Sequence, residues 1–175
     1  MKNVCLVIGG CRSGKSRYAL EIAEKINADR QIFVATCQPV DEEMRQRVRQ
    51  HRRQRSNRWQ TVEEPLELPE AIDTHASPDA AVLVDCLTLW ISNLLLQFGD
   101  NRPDELTARS DRLVRAVQAA SGPVILVSNE VGAGIVPENR LARMFRDAAG
   151  TVNQQVAEVA TSVFWMVAGI AVKIK

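Results

Sequence analysis

The tightest constraint on this chain is the segment Gly9-Gly10-Cys11-Arg12-Ser13-Gly14-Lys15-Ser16, which lies between an apolar run and an amphipathic helical pattern. Its spacing is GxxxxGK[ST]. Val4–Ile8 supplies a strand ahead of it, and Ala19, Ile22, Ala23 and Ile26 mark a helix behind it, the context this motif requires. The glycines let successive backbone N–H groups turn inward around phosphate oxygens, beside the positive end of the helix dipole. Lys15 adds a mobile positive charge for β- and γ-phosphates, and Ser16 supplies a hydroxyl ligand for Mg²⁺. The segment therefore reads as a P-loop.

Short runs rich in Val and Ile recur at Val4–Ile8, Ile32–Ala35, Ala81–Val84, Val124–Val127 and Val163–Val167, mostly separated by helical patterns. This is an α/β pattern. Continuous apolarity predicts strands covered on both faces, as in a mostly parallel sheet between two helical layers. Ala168-Gly169 leaves only a tight turn between Phe164–Val167 and Ile170–Ile174, which predicts a C-terminal antiparallel hairpin. Helices are expected at 14–26, 41–55, 87–97, 104–120 and 138–160. In the last of these, Leu141, Phe145, Ala148, Val152, Val156 and Val159 form the apolar stripe, with Pro137 near the first turn.

A chain of 175 residues suits one domain, 1–175, without a linker. Lys and Arg number 22 against 21 Asp and Glu, so global charge points to neither nucleic acid nor a membrane surface as partner. The four cysteines contain no CxxC pair, which suits a reducing cytoplasm. Val4–Ile8 is too short for a signal or membrane-spanning segment.

Asp85 closes the run Ala81–Val84, where a Walker-B carboxylate would hold Mg²⁺; it would equally suit the N-cap of the helix near Leu87. Ser128, Asn129 and Glu130 follow another strand and lead into Gly132-Ala133-Gly134. They read either as ligand-facing residues or as a loop cap. From Asp41 to Arg55 an acidic first turn precedes Arg45, Arg47, Arg49, Arg52, Arg53 and Arg55. Such a charge run reads as a solvated helix face or a nucleic-acid footprint. Yet Met44, Val48 and His51 fall at i, i+4 and i+7, so His51 continues an apolar stripe amid arginines. There it is either a packing residue or a nucleophile toward a nucleoside triphosphate. His75, in a polar segment, reads as a surface-loop residue.

Several segments together resemble the bifunctional adenosylcobinamide kinase/adenosylcobinamide-phosphate guanylyltransferases of cobalamin biosynthesis. These are the P-loop, Val34-Ala35-Thr36, Asp41–Met44 leading to His51, Trp59–Glu63, Ser128–Gly132, Gly134–Arg140 and Gly169–Lys175, nearly the whole chain. The resemblance implies a RecA-like P-loop fold. It also implies phosphorylation of adenosylcobinamide followed by GMP transfer from GTP, giving adenosylcobinamide-GDP. His51 would carry GMP covalently, and Lys15 would serve phosphate. Nucleotide contacts carry over to Gly9, Gly10, Cys11, Arg12, Ser13, Gly14, Lys15, Ser16, Val34, Ala35, Thr36, Arg52, Arg53, Gln54, Arg55, Glu63 and Asp85. Mg²⁺ would lie at Ser16 and Asp85, with GTP and ATP as substrates and a homotrimer as the assembly. Cys11 and Cys37 replace small residues common in the family, and Gln50 precedes His51 where some relatives carry a second histidine. Two alternatives remain at this level: a P-loop kinase of another hydroxylated metabolite, and a nucleotide-switched protein that binds RNA or another acidic partner.

Overall fold

The computed structural model describes residues 3–39, 41–53, 55–99 and 102–175. Among these residues seven strands make one sheet: β1 (Val4–Gly9), β2 (Arg30–Ala35), β3 (Trp59–Glu63), β4 (Ala80–Asp85), β5 (Val124–Asn129), β6 (Ser162–Val167) and β7 (Ile170–Lys173). Their order is β3-β2-β4-β5-β1-β6-β7. All neighbours are parallel except β6 and β7, which form the expected antiparallel hairpin with Trp165 opposite Val172. Among the described residues six helices accompany them: α1 (Lys15–Glu24), α2 (Glu42–Arg53), α3 (Leu68–His75), α4 (Leu87–Phe98), α5 (Pro103–Ala119) and α6 (Arg140–Val159).

Side chains alternate across the pleat, and the sheet consequently divides the interior in two. Val4, Leu6, Val82, Val84, Val124 and Leu126 pack with apolar residues of α3 to α6, among them Trp90, Leu113 and Val156. On the opposite face, Cys5, Val7, Leu83, Ile125 and Val127 meet Ala19 and Ala23 of α1. The continuous apolarity of the strand sequences follows from burial on both faces.

Two elements escape the periodic reading. Strand β3 is Trp59-Gln60-Thr61-Val62-Glu63, an edge strand with only Trp59 buried, so it lacks an apolar run. Helix α3 is eight residues long, with Pro69 in its first turn and Leu68, Ala71 and Ile72 buried. His75 is the last residue of α3 and half-buried, not a loop residue. Helix α6 starts later than expected: Asn139 caps it by accepting from the Ala142 N–H at 3.0 Å, which leaves Pro137 ahead of the cap. Its buried centre includes Ala149 and Asn153 beside Val152 and Val156, while Leu141 is largely exposed.

The P-loop is anchored on both flanks. A Cβ on Gly9 would lie 2.6 Å from the Met166 carbonyl oxygen of β6, so only glycine fits there. Gly14 has φ +94°, a left-handed conformation that glycine adopts without steric cost. The Gly169 N–H at the hairpin turn donates to the Ser13 carbonyl at 3.1 Å, tying the C-terminal hairpin to the loop.

Candidate active site

At the carboxyl edge of the sheet a cavity of about 440 Å³ opens where parallel strands deliver their last residues. Its floor is built from alternate strand residues: Phe33 and Ala35 of β2, Glu63 of β3, Asp85 of β4, and Val127 and Asn129 of β5. Lys15 and Ser16, the first residues of α1, form one wall. Met44, Val48 and His51 of α2 face it with Arg52 and Arg55, so the i, i+4, i+7 stripe does turn His51 inward.

Lys15 is 8% exposed and donates through Nζ to the Gly10 carbonyl at 2.6 Å. Burial lowers its pKa, opposed by negative charge at neighbouring groups including Asp85. The Asp85 carboxyl is pushed up by desolvation, against a hydrogen bond from Ser16 and the positive charges of His51, Lys15 and Arg55. Among the described residues no group of three or more His, Cys, Asp or Glu comes together.

The end of α2 and the residues just beyond it supply cationic groups of a different kind. Arg55 lies with its guanidinium 3.7 Å from the Phe33 ring centroid, a stacked arrangement that orients the planar group. Burial lowers its pKa, as does Arg52, while Asp85 opposes. Its Nη1 is buried and has no partner among the described residues, a donor arranged for an acceptor that an anionic ligand would supply. Arg52 pairs with Glu63. Both arginines also border the region of β3, where they line a second depression with Ser56, Asn57, Trp59 and Thr61.

Of the residues singled out from sequence, Lys15, Ser16, Ala35, His51, Arg52, Arg55, Glu63 and Asp85 line one cavity. Others do not. Val34 points into the opposite core, and Thr36 is fully buried, its hydroxyl donating to the Cys86 carbonyl at 2.7 Å and accepting from the Cys86 N–H at 2.8 Å. Arg53 is exposed off the cavity, and Cys11 and Arg12 are exposed on the loop. Gln54 lies outside the described residues. Sequence reasoning missed Phe33, Cys37, Pro39, Cys86, Leu89 and Val127 as lining residues. The two-residue period places Phe33 with Ala35 and Val127 with Asn129, so strand alternation was the available signal.

The chain matches the cobinamide kinase / cobinamide phosphate guanyltransferase family over residues 5–174. It is 44% identical to the bifunctional adenosylcobalamin biosynthesis protein CobU of Escherichia coli K12 and 43% identical to that of Salmonella typhimurium LT2, in each case over 97% of this chain and 98% of the relative. CobP of Pseudomonas aeruginosa, a bifunctional adenosylcobalamin biosynthesis protein, is 40% identical over 97% of this chain and 96% of its own. Among solved structures, an ATPase of a bacterial type III secretion system shares the fold (TM-score 0.60, 12% identity, 99% of this chain and 57% of that one). So does a second, separately solved ATPase domain (TM-score 0.54, 14% identity, 94% and 69%). The P-loop architecture, the cavity at the sheet edge and the near full-length identity converge: this chain belongs to the bifunctional cobinamide kinase and cobinamide phosphate guanylyltransferase family of adenosylcobalamin biosynthesis.

Proposed function

We propose that the chain, as a single domain, phosphorylates adenosylcobinamide and then passes GMP from GTP to adenosylcobinamide phosphate through a guanylyl group on His51. The observation that carries this reading is that His51 opens onto the same cavity as Lys15, Ser16 and Asp85. A kinase transferring a γ-phosphoryl group in line needs no histidine there. In the guanylyl step a ring nitrogen of His51 attacks the α-phosphorus of GTP; a P–N bond forms, the bond to the bridging oxygen breaks and pyrophosphate leaves. An oxygen of adenosylcobinamide phosphate then displaces the histidine, giving adenosylcobinamide-GDP. Arg55 and Arg52 stand where they would offset phosphate charge, and Lys15 with the P-loop N–H groups would hold the β- and γ-phosphates. Mg²⁺, held by Ser16 and Asp85, would neutralise charge developing on the phosphates.

The same reading takes ATP or GTP as phosphoryl donor and the cytoplasm as compartment. No described helix is long and apolar enough to cross a membrane. It extends to the homotrimer that the family resemblance implies; the β6–β7 hairpin exposes Trp165, Val167, Ile170 and Val172, apolar surface that association would cover.

The test uses GTP labelled in the α-phosphate and, separately, in the γ-phosphate. Only the α-label is expected on the protein, in a form lost in acid and stable in alkali, as a phosphoramidate is and a Ser or Thr ester is not. His51→Ala is expected to abolish that labelling and guanylyl transfer while kinase turnover persists. Acid-labile GMP on the His51→Ala protein would move the nucleophile elsewhere; no labelling of the unaltered protein would reduce the reading to a kinase.

A further inference from the structure

We propose that the depression along edge strand β3, lined by Arg52, Arg55, Ser56, Asn57, Trp59 and Thr61, is an outer subsite that holds an amide arm of the corrinoid acceptor while its reactive end enters the cavity. The proposal rests on the reading above, in which cobinamide and its phosphate are the acceptors. Trp59, Thr61 and Glu63 are alternate residues of β3 and share one face. Glu63 lines the cavity, whereas Trp59 and Thr61 line the depression, which therefore continues the cavity floor away from the carboxyl edge. At the rise of an extended strand, Thr61 lies roughly 7 Å and Trp59 roughly 13 Å from Glu63. Arg52 and Arg55 line both spaces and form the junction between them. Because β3 is the outermost strand, the depression, about 580 Å³, opens at the side of the sheet. A corrin ring with its amide arms is bulkier than a nucleotide, and a cavity of about 440 Å³ that also takes a triphosphate has no room for it. Only the arm that bears the hydroxyl or phosphate can enter; the ring has to rest outside, on surface continuous with the cavity.

Beyond the arginine junction the polar groups are neutral, and two of them lack partners among the described residues. Trp59 is 9% exposed, and its indole N–H is buried and unpaired. The other fully buried indole, that of Trp90, donates to the Leu66 carbonyl at 2.8 Å, as a buried indole ordinarily does. Gln31 lies opposite Trp59 in the parallel register of β2 and so on the same face; it is 2% exposed, and neither its amide oxygen nor its amide nitrogen has a partner. The neighbourhood thus lacks both an acceptor for Trp59 and a donor for the Gln31 oxygen. A phosphate supplies acceptors only, whereas a primary amide supplies one of each kind, a carbonyl oxygen and an N–H₂ group. Cobinamide carries such amides around its ring. The site is also ordered in advance. The Phe33 ring holds the Arg55 guanidinium on its face at 3.7 Å and meets the Trp59 ring edge-on at 6.3 Å between centroids. The Trp59 N–H donates to the Ser56 carbonyl at 3.2 Å, which closes the turn leading into the strand.

The experiment measures the affinity of the full, nucleotide-free chain for adenosylcobinamide by equilibrium dialysis, its affinity for a non-hydrolysable GTP analogue, and kinase kcat and KM for each substrate. Trp59→Phe keeps a ring against Phe33 and removes the N–H. It is expected to raise Kd and KM for adenosylcobinamide about 3- to 10-fold, the scale of one hydrogen bond, with kcat at saturation and affinity for the GTP analogue as in the parent. Gln31→Met, similar in length and without polar hydrogens, should weaken adenosylcobinamide binding by a similar factor while melting no lower than the parent. Unchanged adenosylcobinamide affinity in both variants would leave these groups to buried water and overturn the proposal. Loss of GTP-analogue affinity in step with that for adenosylcobinamide would assign the depression to the nucleotide and overturn it equally. A parent protein that neither binds nor phosphorylates adenosylcobinamide would instead overturn the functional reading, and the subsite with it.

Discussion

The two walls of the cavity are built on different physical terms. On the P-loop side, position is enforced by backbone: parallel pairing of β1 with β5 and β6, a glycine that admits no Cβ, and a lysine tied to its own loop. On the α2 side, position depends on long, mostly exposed side chains. Arg49 and Arg45 pair with Glu42, and Arg52 with Glu63, all in contact with solvent. Exposed ion pairs of this kind exchange readily and contribute little to stability. The contrast suits the two tasks proposed above: a phosphate cradle gains from being ordered before its ligand arrives, whereas a wall that, on this proposal, delivers a nucleophile and later admits a bulky acceptor gains from side chains that can change partners.

Three measurements sharpen or break this contrast. The largest effect is expected from Lys15→Ala. Loss of its charge at the rigid wall should lower kinase turnover by about 10³-fold, within the range for removing one group aligned with transition-state charge. Circular dichroism and thermal melting should show the fold retained, since the ammonium lines the cavity and bonds only a carbonyl of its own loop. A comparable kinase loss in His51→Ala would erase the division of labour between the walls.

An intermediate effect is expected from pH acting at Asp85. Its carboxyl is held above the ordinary 3.8 by desolvation, so the folded chain binds this proton more tightly than the unfolded chain does. The native state then carries more protons between the two values, and its stability falls as pH rises through that interval. In the nucleotide-free protein, Asp85→Asn should melt higher than the parent at neutral pH, with the difference closing as pH is lowered toward 3.8. Mg²⁺-dependent nucleotide binding, which needs the anion, should fade in the same interval and be absent in the variant. A melting difference independent of pH would remove Asp85 from this role.

The smallest effect is expected from Arg55→Lys at the adaptable wall. The ammonium keeps the charge but loses the stack on Phe33 and the planar fork. Guanylyl transfer should fall about 10-fold, the scale of one charged hydrogen bond, with kinase turnover within about twofold of the parent. Equal losses in both reactions would mean that the arginine serves a phosphate site common to them.

Much of the rigid wall was legible along the chain, because a P-loop is a local device. Its glycines, Lys15 and Ser16 lie within one short segment, and strand and helix periods on either side announce the turn between them. On the other wall the i, i+4, i+7 relation directs His51 inward, but it could not decide which arginines follow. Arg55 reaches the cavity past the end of α2, where helical spacing no longer applies, and Arg53 turns away.

From the sequence alone came the α/β class, the parallel core, the closing hairpin, the P-loop and the inward stripe of α2, since each is a periodic or contiguous pattern that records which faces are buried. Tertiary structure decided the rest. Strand order brought Asp85 and Asn129 to the same edge as the P-loop, and an edge strand with almost no apolar signature carried Glu63 to the opposite rim. Such placements depend on crossovers between distant segments, and the pleat that determines whether a residue faces ligand or core at a strand end takes its reference from the whole sheet. A single residue such as Asn129 holds no local record of that choice: its two backbone bonds come from helices α4 and α6, remote in the chain, and only folding brings them together.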